Sequence, residues 1–362
     1  MVSGLPRYRA CAAHSDTAAN LRSSVAPMSD CRSIARRAFF QHAARVLGGA
    51  VAAQPWVRAI VWNPKLHGPM MLPRAGERTG AALRIAVVTT RDGPSPPTGG
   101  SSGATMDMGV HLGMDEAARA ATLLGGTVSL VGPATNLRDA LSLIADQAAA
   151  VVICSASDNE TAELGEAATE KAVLLLNARA GADALRNERC ARLVFHIAPS
   201  DKMRDDARRL WSVEGDRGST GAADVTAWDP HLERFGAAQL NARFEARFRR
   251  PMSSAAWAGW FAVKVAWEAS QRARSTEARA IAQYLERDGT QFDGQKGVPL
   301  SFRRWDHQLR QPLYVSSSAG SADSTHVASG TPSPIPAPDA TPARAALDAL
   351  GTTEEASACR WR

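Results

Sequence analysis

Between residues 83 and 197 one pattern recurs five times: a short apolar, β-branched-rich run followed by a longer amphipathic or polar stretch. The runs are residues 83–89, 127–131, 150–154, 172–176 and 193–197. Each is apolar at nearly every position rather than at alternate ones, which predicts strands buried on both faces. The intervening and following segments 108–124, 136–147, 158–170 and 200–211 have the length and periodicity of helices. Strands alternating with helices predict parallel βαβ units with right-handed crossovers, and hence one doubly wound α/β lobe over residues 84–211.

The pattern changes after Trp211. Residues 212–226 are polar and Gly-rich, and residues 229–250, 253–273 and 277–287 predict helices. No strand is expected between Trp211 and Val298; the last strands are expected at 298–302 and 313–315, joined by a charged turn around Trp305-Asp306-His307. On the helix at 255–273, Trp257, Trp260, Phe261, Val263, Lys264 and Trp267 fall at three- and four-residue spacings, a broad apolar face suited to packing on a sheet. Residues 212–315 therefore read as a partial second lobe, mainly helical. From Ser316 to the end, Ser, Ala, Gly, Thr and Pro dominate, and residues 316–362 are expected to be a disordered, low-complexity tail, with one or two helical turns at 343–350 that Gly351 stops.

The net charge of +6 raises the question of a nucleic-acid or anionic-membrane partner. Its distribution answers that question. Residues 1–83 carry eleven Lys/Arg and three Asp/Glu, residues 84–315 carry 28 of each, and residues 316–362 carry three basic and five acidic residues. A neutral middle offers no basic face to a phosphate backbone, so no nucleic acid is expected as partner. No apolar run is long enough for a transmembrane segment. In the leader, Ser33-Ile34-Ala35-Arg36-Arg37-Ala38-Phe39-Phe40 precedes an apolar stretch, 46–53, and resembles a twin-arginine export signal. Ala50-Val51-Ala52 supplies small residues for cleavage. Residues 1–83 are accordingly read as an export signal and linker, with a cytoplasmic location if that leader is not a signal.

In a doubly wound sheet, ligands meet the carboxyl ends of the strands. That rule selects Thr89, Thr90 and Arg91 after the first strand, Ser155 and Asn159 after the third, and Asn177 after the fourth. Helix capping is the alternative role for Ser, Asp and Asn at such places, Asn136 and Asp158 included. Gly99-Gly100-Ser101-Ser102-Gly103 fits the spacing of a nucleophile elbow, but eleven residues with three prolines separate its Ser101 from the strand, so no elbow forms. No G-x-G-x-x-G, CxxC or His pair with metal-ligand spacing occurs, so no cofactor, metal or catalytic constellation is expected, and His196 and His307 read as structural. Cys154 and Cys190 are expected as buried free thiols, and Cys11, Cys31 and Cys359 as incidental.

Taken with the 84–124 unit, Leu123-Leu124-Gly125-Gly126-Thr127-Val128-Ser129-Leu130-Val131 and Val194-Phe195-His196-Ile197-Ala198-Pro199-Ser200-Asp201 resemble the type I periplasmic binding fold of branched-chain amino-acid-binding proteins. The stretch from Phe292-Asp293-Gly294-Gln295-Lys296-Gly297 through Arg303-Arg304-Trp305-Asp306-His307 to Leu313-Tyr314, together with Trp257-Ala258-Gly259-Trp260, resembles the subfamily associated with pyrroloquinoline-quinone-dependent alcohol dehydrogenase systems. The resemblance implies a non-enzymatic, periplasmic solute-binding component that takes a small molecule and works with an ABC permease or a quinoprotein dehydrogenase system. It also implies a second lobe shortened by an internal deletion. A truncated paralogue that no longer binds, acting as a structural or interaction protein, is the alternative.

Overall fold

The computed structural model describes residues 82–90, 102–214, 223–317, 333–337 and 343–360. The leader with its export-signal reading, Arg91 and Ser101 lie outside the described residues. The five expected strands form β1 (Ala82–Thr89), β2 (Thr127–Ala134), β3 (Val151–Ser155), β4 (Leu174–Asn177) and β5 (Val194–His196), and all pair in parallel in the order β2-β1-β3-β4-β5. This order reverses between β1 and β3, the place where an open α/β sheet leaves a crevice at its carboxyl edge.

The period-two geometry of a strand sorts the apolar residues onto two faces. Leu83, Ile85, Val87, Val151, Ile153, Leu174, Leu176 and Phe195 point to one side. There they meet α1 (Ser102–Leu124), α6 (Ser254–Ala273) and α7 (Ala278–Leu285). Ala86, Val88, Val152, Cys154 and Leu175 point to the other side, against α2 (Leu137–Ala145) and α3 (Asp158–Glu170). Because both faces are covered, the strands carry almost no polar residue between their ends. The aromatic face of α6 is core, as its spacing predicts: Trp257, Trp260, Phe261 and Val263 are buried.

Helices α1 and α6 cross at very short range. A Cβ on Gly109 or Gly259 would collide with the backbone of Ala256 or Met106, and one on Gly113 would press on Val263. Each Gly is there because only hydrogen fits between the two backbones.

Beyond β5 the chain forms α4 (Asp201–Glu214), β6 (Ala223–Thr226) and α5 (Ala237–Phe248), then α6 and α7. It continues through β7 (Phe292–Asp293), β8 (Pro299–Phe302), β9 (Leu309–Arg310), β10 (Leu313–Ser317), β11 (Ser333–Ile335) and α8 (Ala343–Asp348). A second small core forms where α4 packs on the antiparallel sheet β11-β10-β6, burying Met203, Ala207, Val225, Leu313, Val315 and Ile335.

Four expectations are corrected here. Strands β6 and β7 do lie between Trp211 and Val298; the first, Ala-Asp-Val-Thr, has polar residues at two of its four positions and the second is two residues long, so neither produces an apolar run. The helix expected over 229–250 is confined to Ala237–Phe248, since Asp229 accepts the His231 amide in a turn (2.8 Å) and Phe235 and Gly236 both have positive φ. The charged turn around Trp305-Asp306-His307 is found where it is expected, with Asp306 and His307 buried in it. Finally, the described parts of the tail are ordered elements that pack on the protein. Leu347, Leu350 and Cys359 are buried, Arg303 donates to the Leu347 carbonyl (2.9 Å), and Gly351 N–H donates to Asp206 (2.8 Å). Cys359 is not incidental, because it forms a disulfide with Cys190 across 169 residues of chain. Cys154 is the free buried thiol expected of it, and burial pushes its pKa up to about 12, far from a nucleophile's range.

Candidate functional site

Parallel pairing places the predicted residues at one edge. Thr89 lies opposite Ser155, Cys154 opposite Asn177, and Asn177 opposite His196, so the carboxyl ends of β1, β3, β4 and β5 form one staggered row. What these side chains do differs from residue to residue. Thr90 donates from its hydroxyl to Glu160 Oε2 (2.7 Å) and from its amide to the Ser155 carbonyl (3.1 Å). Ser157 is the N-cap of α3: its Oγ accepts the Glu160 amide (3.4 Å) and its own amide donates to the Glu160 carboxylate (3.1 Å), the two bonds of a capping box, while its hydroxyl donates to the same carboxylate (2.8 Å). Burial works against the Glu160 anion, but the hydrogen bonds from Thr90 and Ser157 hold its pKa below the usual carboxylate range. Thr89 donates to Asp107 on α1 (3.0 Å); burial nonetheless raises the Asp107 pKa.

Asn177 builds the edge rather than lining it. Its side chain is fully buried, with Oδ1 accepting the amides of Arg179 (3.0 Å) and Ala180 (2.8 Å) and Nδ2 donating to the Ala180 carbonyl (2.8 Å). Nδ2 also lies 3.0 Å from His196 Nδ1, and burial together with Arg186 keeps that imidazole neutral and accepting. The turn made this way presents Arg179. Asn159 accepts from Arg189 (3.0 Å) on the outside of α3, away from the edge depressions described next, and Ser155 is buried and lines neither of them. Asn136 is the N-cap of α2, accepting the Asp139 amide at 2.9 Å.

Two depressions open on this edge. The first lies between Thr90, Thr135, Asn136, Leu137 and Glu160, over the β1–β3 crevice. The second, with a volume of about 220 Å³, is bounded by three parts of the chain. The β4 and β5 ends supply Ala178, Arg179, Ile197, Ala198 and Pro199; α4 supplies Arg204 and β6 with its following residue supplies Val225, Thr226 and Ala227; the first turns of α6 supply Ser254, Ala255 and Ala258. Its lining is thus small and apolar, with two guanidinium groups and the positive end of a twenty-residue helix at its margin. Arg186 supports this wall from beneath. Fully buried, it donates to the carbonyls of Ala180 (3.0 Å), Ala182 (3.1 Å) and Ala198 (2.8 Å) and to Gln308 Oε1 (2.8 Å). The lining from β6 and α6 was not reachable from the sequence, because it depends on a contact between segments far apart in the chain.

Among the described residues no three His, Cys, Asp or Glu side chains are grouped to hold a metal ion, and no helix is long and apolar enough to cross a membrane. The geometry is that of a surface that can hold a small molecule at a sheet edge.

Comparison with known proteins agrees with this geometry. A family model described as periplasmic binding protein matches residues 206–322, about a third of the chain. No curated protein matches the chain in sequence. Among solved structures, a periplasmic binding protein from Burkholderia mallei is similar at 14% identity, with a TM-score of 0.59 over 78% of this chain and 99% of that one. The branched-chain amino acid binding protein LivJ of Streptococcus pneumoniae, in complex with isoleucine, is similar at 12% identity, with a TM-score of 0.52 over 65% of this chain and 96% of that one. A solute binding protein of an ABC transporter from Rhodopseudomonas palustris, in complex with 3,4-dihydroxy benzoic acid, gives 10% identity and a TM-score of 0.52 over 65% and 93%. The parallel five-stranded sheet with helices on both faces is the type I periplasmic binding fold.

Proposed function

We propose that the protein is a non-enzymatic solute-binding component of an uptake system, and that it takes a small carboxylate with a short apolar body. The observation that carries this reading is the second edge depression, where Arg179 and Arg204 flank an apolar floor beside the α6 N-terminus. A carboxylate set there meets cations and helix amides, while its hydrocarbon part meets Ala178, Ile197 and Ala258. The bound molecules named for two similar structures, isoleucine and 3,4-dihydroxy benzoic acid, are both carboxylic acids with apolar bodies. Thr90 and Glu160 define a second, more polar recess on the same edge, suited to a hydroxyl or ammonium group.

The reading extends to location and partners. The protein acts in the periplasm, which suits the Cys190–Cys359 disulfide because such bonds persist in oxidising compartments. Its partner is an ABC permease, or a quinoprotein dehydrogenase system if the resemblance carried by Phe292–Tyr314 holds. In this reading the second lobe is abbreviated, and α4 with the small sheet β11-β10-β6 takes the part of the full set of βαβ units that would close over a ligand; the small size of that sheet and its core supports this. The opposing reading, a truncated paralogue that serves only as an interaction protein, makes a different prediction in the same experiment. Calorimetric titration with L-isoleucine, 3,4-dihydroxybenzoate and short alcohols is expected to give saturable binding of a carboxylate, weakened about tenfold by Arg179→Ala through loss of a charge-assisted hydrogen bond. Absence of saturable binding across the panel, in a folded sample, favours the opposing reading.

A further inference from the structure

A third cavity, of about 80 Å³, lies between the loop after α7, strands β8 and β9, and the docked tail helix α8, and it shares no lining residue with either edge depression. Three arginines from three separate segments, Arg287, Arg310 and Arg344, line it against one aspartate, Asp288. Arg310 is the unusual member. It is 2% exposed, its Nε donates to Asp348 (2.7 Å), and its Nη1 donates to the Phe302 carbonyl (2.7 Å) and lies 3.4 Å from Ser301 Oγ. Its remaining amino group, Nη2, is buried with no hydrogen-bond partner. A buried guanidinium left one acceptor short is costly, and native structures rarely leave such a group without a purpose. The one carboxylate of the lining, Asp288, is mostly exposed at the rim and sits only loosely near Arg344 (3.5 Å) and Arg304 (3.7 Å).

We propose that this cavity is a binding site for a small inorganic oxyanion, phosphate or sulfate. The cation excess sets the sign of the ligand. Guanidinium forks arriving from different directions suit a tetrahedral dianion, whose oxygens can accept from each and from the Ser301 hydroxyl. The small volume leaves room for little beyond the oxyanion itself, with Phe302 and Leu347 closing the wall. Because Arg344 lies on the tail helix, the bound anion also fastens that helix to the body of the protein.

The test is calorimetric titration of the full chain with inorganic phosphate, then with sulfate, in chloride buffer at low ionic strength. The expected result is saturable one-to-one binding, weakened about tenfold in Arg344→Ala and in Ser301→Ala with an unchanged circular dichroism spectrum. Arg310→Lys, which keeps the charge but loses the fork, is expected to weaken binding too; if it does not fold, the two exposed-side variants decide the matter. Equal affinity in Arg344→Ala and the unaltered chain, or no saturable heat from either anion, overturns the proposal. Loss of phosphate binding in Arg179→Ala with none in Arg344→Ala also overturns it, since that places the anion at the sheet edge.

Discussion

Lys296, Arg303, Asp306, His307, Gln308, Arg310 and Gln311 are all buried within sixteen positions, and most of them are held by groups distant in sequence. Gln308 bonds Arg186, Arg303 bonds the carbonyls of Leu347 and Thr352, and His307 bonds Glu286 (2.9 Å) while stacking on Phe195. Burial disfavours the Glu286 anion, but His307 and Arg192 outweigh it and bring its pKa down to about 2. A depressed carboxylate contributes stability that is present above its unfolded value of 4.5 and is lost as pH falls toward 2. Glu286→Gln is therefore expected to cost about 1–3 kcal/mol at pH 7 and to flatten acid unfolding between those values, measured by thermal denaturation. Lys296 also has a lowered pKa, but here the charged form is the one the fold disfavours. Its amine donates to Gln311 (2.7 Å) and Pro312 (3.2 Å) and sits 3.9 Å from the Trp257 ring centroid, and burial pushes its pKa well below 10.5. The unfolded chain holds a proton that the folded chain resists, so stability rises with pH up to about that value. Replacing it in Lys296→Met is expected to raise the melting temperature at pH 7, with the advantage shrinking by pH 10. The partners that bury this charged turn could not be read from the sequence, because those of Gln308 lie more than a hundred positions away.

At the scale of elements, β1, β3, β4 and β5 were legible because burial leaves near-continuous apolar runs, the edge strand β2 was legible from its own apolar run although it is only partly buried, and α6 was legible because its aromatic spacing matches one helical face. Strand β6 was not, since Ala223-Asp224-Val225-Thr226 is short and half polar and owes its pairing to β10. The α1–α6 crossing was likewise hidden. Nothing in a single sequence says that Gly109, Gly113 and Gly259 face one another across two backbones. Gly109→Leu is expected to destabilise the fold by about 1–3 kcal/mol through overpacking, read as a lower urea midpoint, whereas a Leu at exposed Gly289 loses only the ease of its positive φ. At the candidate site, the rule of carboxyl edges named residues that the parallel register does align at one edge, but it could not separate builders from liners. Asn177 and Ser155 hold the edge in shape, Thr90 lines a recess, and Arg179 is the group turned outward by them.

For the whole molecule, the tail is the largest departure from expectation. Its composition argues against burial, yet Leu347, Leu350 and Cys359 dock on a surface prepared by Arg303, Trp305 and Asp206. The Cys190–Cys359 bond closes 169 residues, and a loop of that length removes much entropy from the unfolded chain. Cys190→Ser with Cys359→Ser is expected to lose about 2–5 kcal/mol, and reductant is expected to lower the melting temperature of the unaltered chain but not of the double variant. The central claim remains that the sheet edge beside α6 binds a small carboxylate. Its most direct measurement is the titration of the full chain and of Arg179→Ala with L-isoleucine and 3,4-dihydroxybenzoate, each followed by calorimetry. Saturable binding of at least one carboxylate, weakened about tenfold in the variant, is the predicted result; no saturable binding of either, or identical binding by both proteins, would contradict it.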